Sequence, residues 1–401
     1  MTWHMAMRVV LLVALFAACA IAINPLLEYQ WFFSAGTGNV TTLELNLQEG
    51  IAVDHVNEQG DTALHVAASA GHTKAVRFLL DKGADMRIRG ARGHAMLHDG
   101  ARGGLVFVME EALKLGEDVN VRDDEGWTPL HAASSAAQEE SVKWLIDHGA
   151  DTLAEGPLRN TVLHVAAGFA PPSLVQYLLE HGASASLTAL LHPVNASVLH
   201  LAAEGGNADT VRLLVRAGAP LDQVDERGQS ALHLTAVQRT AAAAEALLAA
   251  GIAREARSVY GQTALHVAAA NGHHDVVAVL LQGGANPDAR ESLHGWSALH
   301  LATHSNATDT IALLLASGKV EANALTDDGG ETAMHVAVRG DLDVALSVLL
   351  KHGATLDAVD KHGRTPLELA STLNKMAAKR VLNRATYMRR KALEREKEAA
   401  L

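Results

Sequence analysis

The sequence predicts an all-α fold built from repeated helix–turn–helix units, and three observations carry that expectation. A histidine-centred motif returns about every 33 residues, a glycine follows each copy about eighteen residues later, and large aromatic side chains are scarce. The chain is 49% hydrophobic yet only 4% aromatic. That is too apolar for a disordered chain and too poor in rings for a deep core. It suits thin layers of small side chains packed at close range.

The first unit shows each element in turn. Thr62 opens the stretch TALHVAAS, and its hydroxyl suits a helix N-cap that accepts from the backbone amides of the first turn. A hydroxyl holds this place in nine of ten copies. In two of them a proline follows, Pro129 and Pro366, where a first-turn proline loses no hydrogen bond. The short alanine-rich helix gives way to the turn Ala70-Gly71-His72. A second helix then carries Val76, Leu79 and Leu80 on one face. Gly83 is placed to end it in the left-handed conformation, and a polar stretch rich in Gly, Asp and Asn leads to the next unit.

The motif histidine recurs as His65, His98, His131, His164, His200, His233, His266, His300 and His335, with Glu368 in the tenth place. The trailing glycine keeps the same beat from Gly83 to Gly353. Chance does not hold a register over ten units. The period divides the chain at 58–90, 91–123, 124–156, 157–192, 193–225, 226–258, 259–292, 293–327 and 328–360, with a closing unit at 361–385. A capping half-unit at 23–57 precedes them, because Ala35–Gly38 aligns with Ala68–Gly71 and Gly50 with Gly83. Residues 386–401 read as a charged helical tail, and residues 1–22 as an apolar leader.

The pattern G-x-T-P-L-H-x-A-A…G-H…V-x-x-L-L-x-x-G-A-D is clearest in Gly126–Asp151, and it resembles the ankyrin repeat. The resemblance implies an ankyrin-repeat solenoid of stacked helix–turn–helix units with projecting hairpin loops, called fingers below. It implies a concave face made of loop tips and first helices. It also implies that the motif histidine bonds toward the loop of the following repeat, a role for which the terminal Glu368 has no use.

Some units depart from the pattern. In the second, Ala95 replaces the capping hydroxyl and Asp99-Gly100 is expected to interrupt the apolar helix, which would make it the least stable inner repeat. The fourth has Ala170-Pro171-Pro172 at the interhelix turn, and a longer spacing extends its finger over Thr188–Asn195. The second helix of the sixth is bland, with alanines from Ala241 to Ala244.

Catalysis finds little support. Of 22 histidines, nine are the motif residue, His72 and His273 occupy the turn, and His148, His181 and His352 precede the capping glycine. Successive motif histidines stand about one packed layer apart, roughly 10 Å, too far to share an ion. His273-His274 point different ways on a helix. Gly228-Gln229-Ser230 and Gly295-Trp296-Ser297 lack the closing glycine of a nucleophile elbow, and both serines fall at helix caps. Gly36 and Gly38 lack a dinucleotide fingerprint, and Gly318-Lys319 lacks a phosphate loop. The single cysteine, Cys19, lies in the apolar leader, so no disulfide or cysteine-based metal site can be built elsewhere. The expectation is a non-enzyme without metal or cofactor.

Recognition remains. The expected partner is a protein, bound by a monomer. The candidate contact residues are charged finger residues whose sign changes along the chain: Arg89 and Arg92, then Asp123, Asp124 and Glu125, then Asp225 and Glu226, then Asp327 and Asp328. Such a gradient would orient an extended partner. Trp127 and Trp296 stand beside the tips as possible anchors. Ahead of position 374 there are 24 basic and 42 acidic residues, a balance of −18, which argues against nucleic acid as a partner. Nine Lys/Arg against three Glu follow from 374 onward, so the tail could dock on acidic fingers or an anionic membrane.

Val9–Ile23 is fifteen apolar residues after Arg8, with small-residue cleavage sites around Ala18–Ala22. That is the layout of a secretory signal peptide, with an uncleaved anchor or a buried capping segment as alternatives. No Lys or Arg follows until Lys74, so the positive-inside bias sends the repeats to the non-cytosolic side in either case. The sequons at Asn39, Asn195 and Asn306 are compatible with glycosylation there.

Overall fold

The computed structural model describes residues 24–399. Among them the chain is α-helical, without extended strands, and the apolar leader lies outside the described residues. The fold class expected from the sequence is the one observed: stacked helix–turn–helix units with projecting hairpin loops.

The local physics repeats from unit to unit. In α3 (Ala63–Ser69) the Thr62 hydroxyl accepts from the His65 amide at 3.4 Å, an N-cap bond. The chain turns through Gly71 into α4 (Thr73–Asp81), which ends at Gly83 with φ 91°. There the amide of Gly83 bonds to Leu80 and that of Ala84 to Leu79, satisfying carbonyls the helix end leaves bare. The same left-handed glycine closes the later second helices through Gly353.

By its internal contacts the chain divides into two compact units, each described by itself. The first runs to Ala170 and includes Glu180–Ala183. Its first helices form one row: α1 (Pro25–Thr37), α3, α5 (Met96–Arg102), α7 (Pro129–Ser135) and α9 (Val162–Phe169). Behind them α2 (Val40–Gln48) packs on α4, and α6 (Val106–Lys114) on α8 (Glu139–Asp147). Leu64, Leu97, Leu130 and Leu163, one per repeat, are buried at the same position.

The second unit comprises Pro171–Leu179 and the residues from Ser184 onward. It begins with all but the last residue of α10 (Pro172–Glu180), where proline takes the harmless first helical position. One row holds α11 (Val198–Gly205), α13 (Ala231–Gln238), α15 (Ala264–Ala270), α17 (Ala298–His304), α19 (Ala333–Arg339) and α21 (Pro366–Thr372). The other holds α12 (Ala208–Arg216), α14 (Ala241–Ala249), α16 (His274–Gln282), α18 (Thr308–Ala316), α20 (Asp343–Lys351) and α22 (Met376–Ala399). The bland helix α14 holds its place by burying Ala243, Ala244 and Leu247.

The structure corrects two expectations. Asp99-Gly100 does not interrupt α5, which runs through both residues. Gly100 lets Val108 close to where a Cβ would sit 2.9 Å from its methyl, and burial of Met96 through Ala101 overrides the weak propensities. The capping half-unit is a full helix pair, and α1 is longer than the other first helices because its N-cap Asn24 lies far upstream. In α22 the buried residues are Ala378 and Leu382, while Met376 is 66% exposed, because the helix register turns it outward.

In the second repeat the His98 Nδ1 still accepts from the Ala95 amide at 3.2 Å, but no hydroxyl completes the cap. Ala95→Ser is therefore expected to stabilise the first unit by about 1 kcal/mol. Thermal melts followed by circular dichroism check this, and an unchanged or lower midpoint would show the missing cap to be inconsequential.

Candidate surface and the residues that fix it

The fingers and first helices are held by a chain of ties that begins at each motif histidine. In seven repeats the capping hydroxyl and the histidine Nδ1 lie 2.7–2.9 Å apart, as in Thr62–His65, Ser197–His200 and Thr332–His335. The cap residue's own amide also points at Nδ1, at 3.1 Å in Ser197–His200. An N–H can only donate, so Nδ1 is the acceptor. Nε2 meets a backbone carbonyl of the next finger, which can only accept: Ile88 from His65, Trp127 from His98, Asn160 from His131, Gln229 from His200, Gln262 from His233, Glu331 from His300 and Arg364 from His335. The rings are thus fixed as the neutral tautomer with the proton on Nε2. The receiving carbonyl stands, after the first repeat, directly before the next capping residue, so each tie hands on to the following one. Glu368 has no following finger; its carboxylate closes on the Thr365 amide at 2.8 Å as an ordinary capping box.

Burial opposes protonation of seven motif rings. It lowers the pKa of His98, His200, His233, His266 and His335, and takes His131 and His300 down to about 4. A second set of ties runs backward, from the His72 Nε2 to the Gly36 carbonyl at 2.8 Å and from the His273 Nδ1 to the Ala236 carbonyl at 2.9 Å.

The finger tips are also joined to one another. In the first unit the Asp124 amide bonds to the Arg92 carbonyl at 2.8 Å. In the second, Glu226 bonds to Val194, Val259 to Arg227, Ser292 to Tyr260, Asp327 to His294 and Lys361 to Gly329, all at 2.9–3.0 Å. Arginines staple neighbouring fingers: Arg122 donates to Gly126 and Glu155, Arg257 to Gly261 and Arg290, and Arg290 to Gly295 and Leu325. Sequence reasoning missed these residues, although Arg89–Arg122 and Arg257–Arg290 each recur one period apart.

The candidate contact residues fall in three situations. Asp123 is buried, and its carboxylate accepts from the Glu125 and Trp127 amides at 2.9 and 2.8 Å, folding the finger turn. Asp225 does the same for Arg227 and Gln229. Others pair across fingers: Arg92 with Glu125 at 3.1 Å, Arg290 with Asp327 at 3.3 Å and His294 with Asp328 at 3.0 Å. Much of the alternating charge is therefore neutralised between neighbouring fingers. Arg89 reaches the Gly93 carbonyl, while Asp124 and Glu226 are exposed. Trp127 and Trp296 are half-buried, each against its motif histidine, and Trp296 also packs on His304. In the tail, Arg389 pairs with Asp357, a residue of the stretch leading into the last finger.

Between the first two fingers, His94 stands between two buried carboxylates. Its Nδ1 is 3.7 Å from Asp99 and its Nε2 3.2 Å from Asp123. Asp99 raises the His94 pKa most, against desolvation, with Asp123 adding to it. The sequon residues Asn39, Asn195 and Asn306 are all exposed: Asn39 caps α2, Asn195 lies in the lengthened finger, and Asn306 occupies an interhelix turn. Among the described residues no helix is long and apolar enough to cross a membrane.

A family model described as ankyrin repeats (3 copies) matches residues 31–123, 97–189, 163–256, 199–291, 253–324, 283–359 and 299–391. The inactive serine/threonine-protein kinase TEX14 of Mus musculus is 48% identical over 59 residues, which are 15% of this chain and 4% of that protein. The L-asparaginase of Dirofilaria immitis is 39% identical over 57 residues, 14% of this chain and 10% of that protein. The crystal structure of the human ASB11 ankyrin repeat domain is 26% identical, covers 57% of this chain and 98% of its own, and superposes with a TM-score of 0.43. The chain thus spans only a small part of the curated relatives it matches.

Proposed function

The chain belongs to the ankyrin-repeat family, and from that premise we propose that it is a non-catalytic scaffold binding a protein partner along its first helices and finger tips. The observation that carries this reading is the double fixation of the fingers, by histidine ties from one repeat to the next and by backbone bonds from tip to tip. A surface held that way displays variable side chains with little conformational entropy left to lose on binding. The exposed Asp124 and Glu226 and the half-buried Trp296 are the contact residues put forward. We also propose that the repeats work on the non-cytosolic side of a membrane, secreted or anchored by the leader. In support stand the fifteen apolar residues Val9–Ile23, the lack of Lys or Arg between Arg8 and Lys74, and the exposure of all three sequon asparagines.

The test uses the full chain, immobilised as wild type and as the Asp124→Lys/Glu226→Lys variant, with bound proteins identified and measured. A partner held by the wild type and lost from the variant is expected. Turnover of a substrate by the purified chain alone would overturn the scaffold reading. Translation with microsomes should leave the repeats protected from protease and shifted by glycosidase; full digestion would sink the lumenal assignment.

A further inference from the structure

The first helix of the second repeat carries a residue that breaks the rule of its position. Directly after the motif histidine the other nine repeats place valine, alanine or leucine, from Val66 to Leu369. The second places Asp99, which is 4% exposed. Its Oδ2 has no hydrogen-bond partner. Its Oδ1 is 3.7 Å from the His94 ring, beyond hydrogen-bond reach. A buried carboxylate without a donor is costly to keep, and this one lines a cavity of about 470 Å³ between α3, the first finger and α5. Val66, Ala70 and Ala91 supply apolar wall, and Asp61 adds a second carboxylate, one oxygen of which holds the Ala91 amide at 2.7 Å.

We propose that this cavity is a subsite for a basic side chain, lysine or arginine, of the protein partner; the assignment rests on the partner-binding reading above. The cationic head donates to the Asp99 carboxylate, displacing His94 toward Asp123, and its methylene stem lies along Val66, Ala70 and Ala91. A cation fits better than an anion because of what each charge already has. Arg92 at the rim is paired with Glu125, and Arg102 is exposed to water. Among the charged residues lining the cavity, Asp99 alone has a buried oxygen, Oδ2, that lacks a donor.

The experiment uses the full chain labelled with ¹³C-histidine, with the His94 signal assigned by its loss in His94→Gln. The probes are N-acetyl-arginine methylamide and its uncharged isostere N-acetyl-citrulline methylamide. The arginine probe is expected to shift the His94 signal saturably, with binding about tenfold weaker for citrulline. The shift should vanish in Asp99→Asn and in Asp99→Val. The valine variant should also melt at a higher temperature, because it restores the residue that Val66, Val165, Val267 and Val336 represent. Equal shifts from both probes, or a lower melting temperature for Asp99→Val, would overturn the subsite. The two readings separate cleanly. A partner held equally by wild type and Asp99→Val removes the subsite and leaves the scaffold, whereas arginine binding with no captured protein does the reverse.

Discussion

Lowering the pH from 7 to 4.5 is expected to strip several kcal/mol from the stability of both units, ahead of any effect from the most acidic carboxylates. The cause is the neutral tautomer that the ties impose. A proton added to Nδ1 would face the capping residue's N–H, and a charged ring would sit buried among apolar helices. In the unfolded chain these histidines regain a pKa near ~6.5, while in the folded chain burial holds His131 and His300 at about 4. Between those values the unfolded state binds more protons. Stability is therefore complete above about pH 6.5 and falls as the pH drops, at about 1.4 kcal/mol per pH unit for each such histidine. For His131 and His300 the loss reaches about 3 kcal/mol each by pH 4, and the other lowered rings add to it in the same direction. His94 works the other way, since its pKa is raised. Burial pushes Asp360 up, but its bonds from Arg364 win and hold it at about 2, so its share is lost only in far stronger acid. Urea midpoints measured from pH 7.5 to 4.5 test the argument. A flat midpoint across pH 6.5 to 5 would refute it, and His131→Gln should lower the midpoint at pH 7.5 while making its pH dependence shallower.

That result would turn on residues whose place was legible in the sequence but whose partners were not. A strict period exposes which histidines are equivalent, and helix-capping chemistry explains why a threonine or serine stands three residues earlier. The carbonyl at the far end belongs to the next finger, and its side chain varies freely because only the backbone is used. Gln229, Gln262 and Arg364 share no property that a pattern could register. Acidic finger residues misled for a related reason: Asp123 and Asp225 look like surface charge, yet each folds its own turn through short-range amide bonds. Asp99 was visible as an exception to the apolar rule. That it would be buried without a donor depends on His94, five residues away in another element, and no single-element reading joins the two.

Gly103→Ala is expected to open the junction between the first two repeats, with a loss of about 3 kcal/mol or more from the first unit. Gly103 ends α5 with φ −82°, a conformation any residue adopts, so the constraint is space alone. A Cβ there would stand 1.8 Å from the Ala68 carbonyl oxygen and 2.9 Å from the Gly71 amide. Both are backbone atoms at the end of α3, fixed by the bond between the Gly71 amide and Ala68 at 3.0 Å, and neither can rotate away. The clash is relieved only by parting α3 from α5. Parting them loosens the His65 tie to Ile88 and the Asp61 bond to Ala91. Position alone does not reveal this, since the third repeat carries Ala136 at the same place. Gly83→Ala is the control: φ there is 91°, yet no atom lies within 4 Å of the added carbon, so backbone strain of about 1 kcal/mol is the whole effect. Hydrogen exchange should report faster opening of α3 and α5 in Gly103→Ala while α15 to α21 keep their protection, because repeats feel chiefly their neighbours. If Gly103→Ala proved no more damaging than Gly83→Ala, the close backbone approach would not be what holds these two layers together.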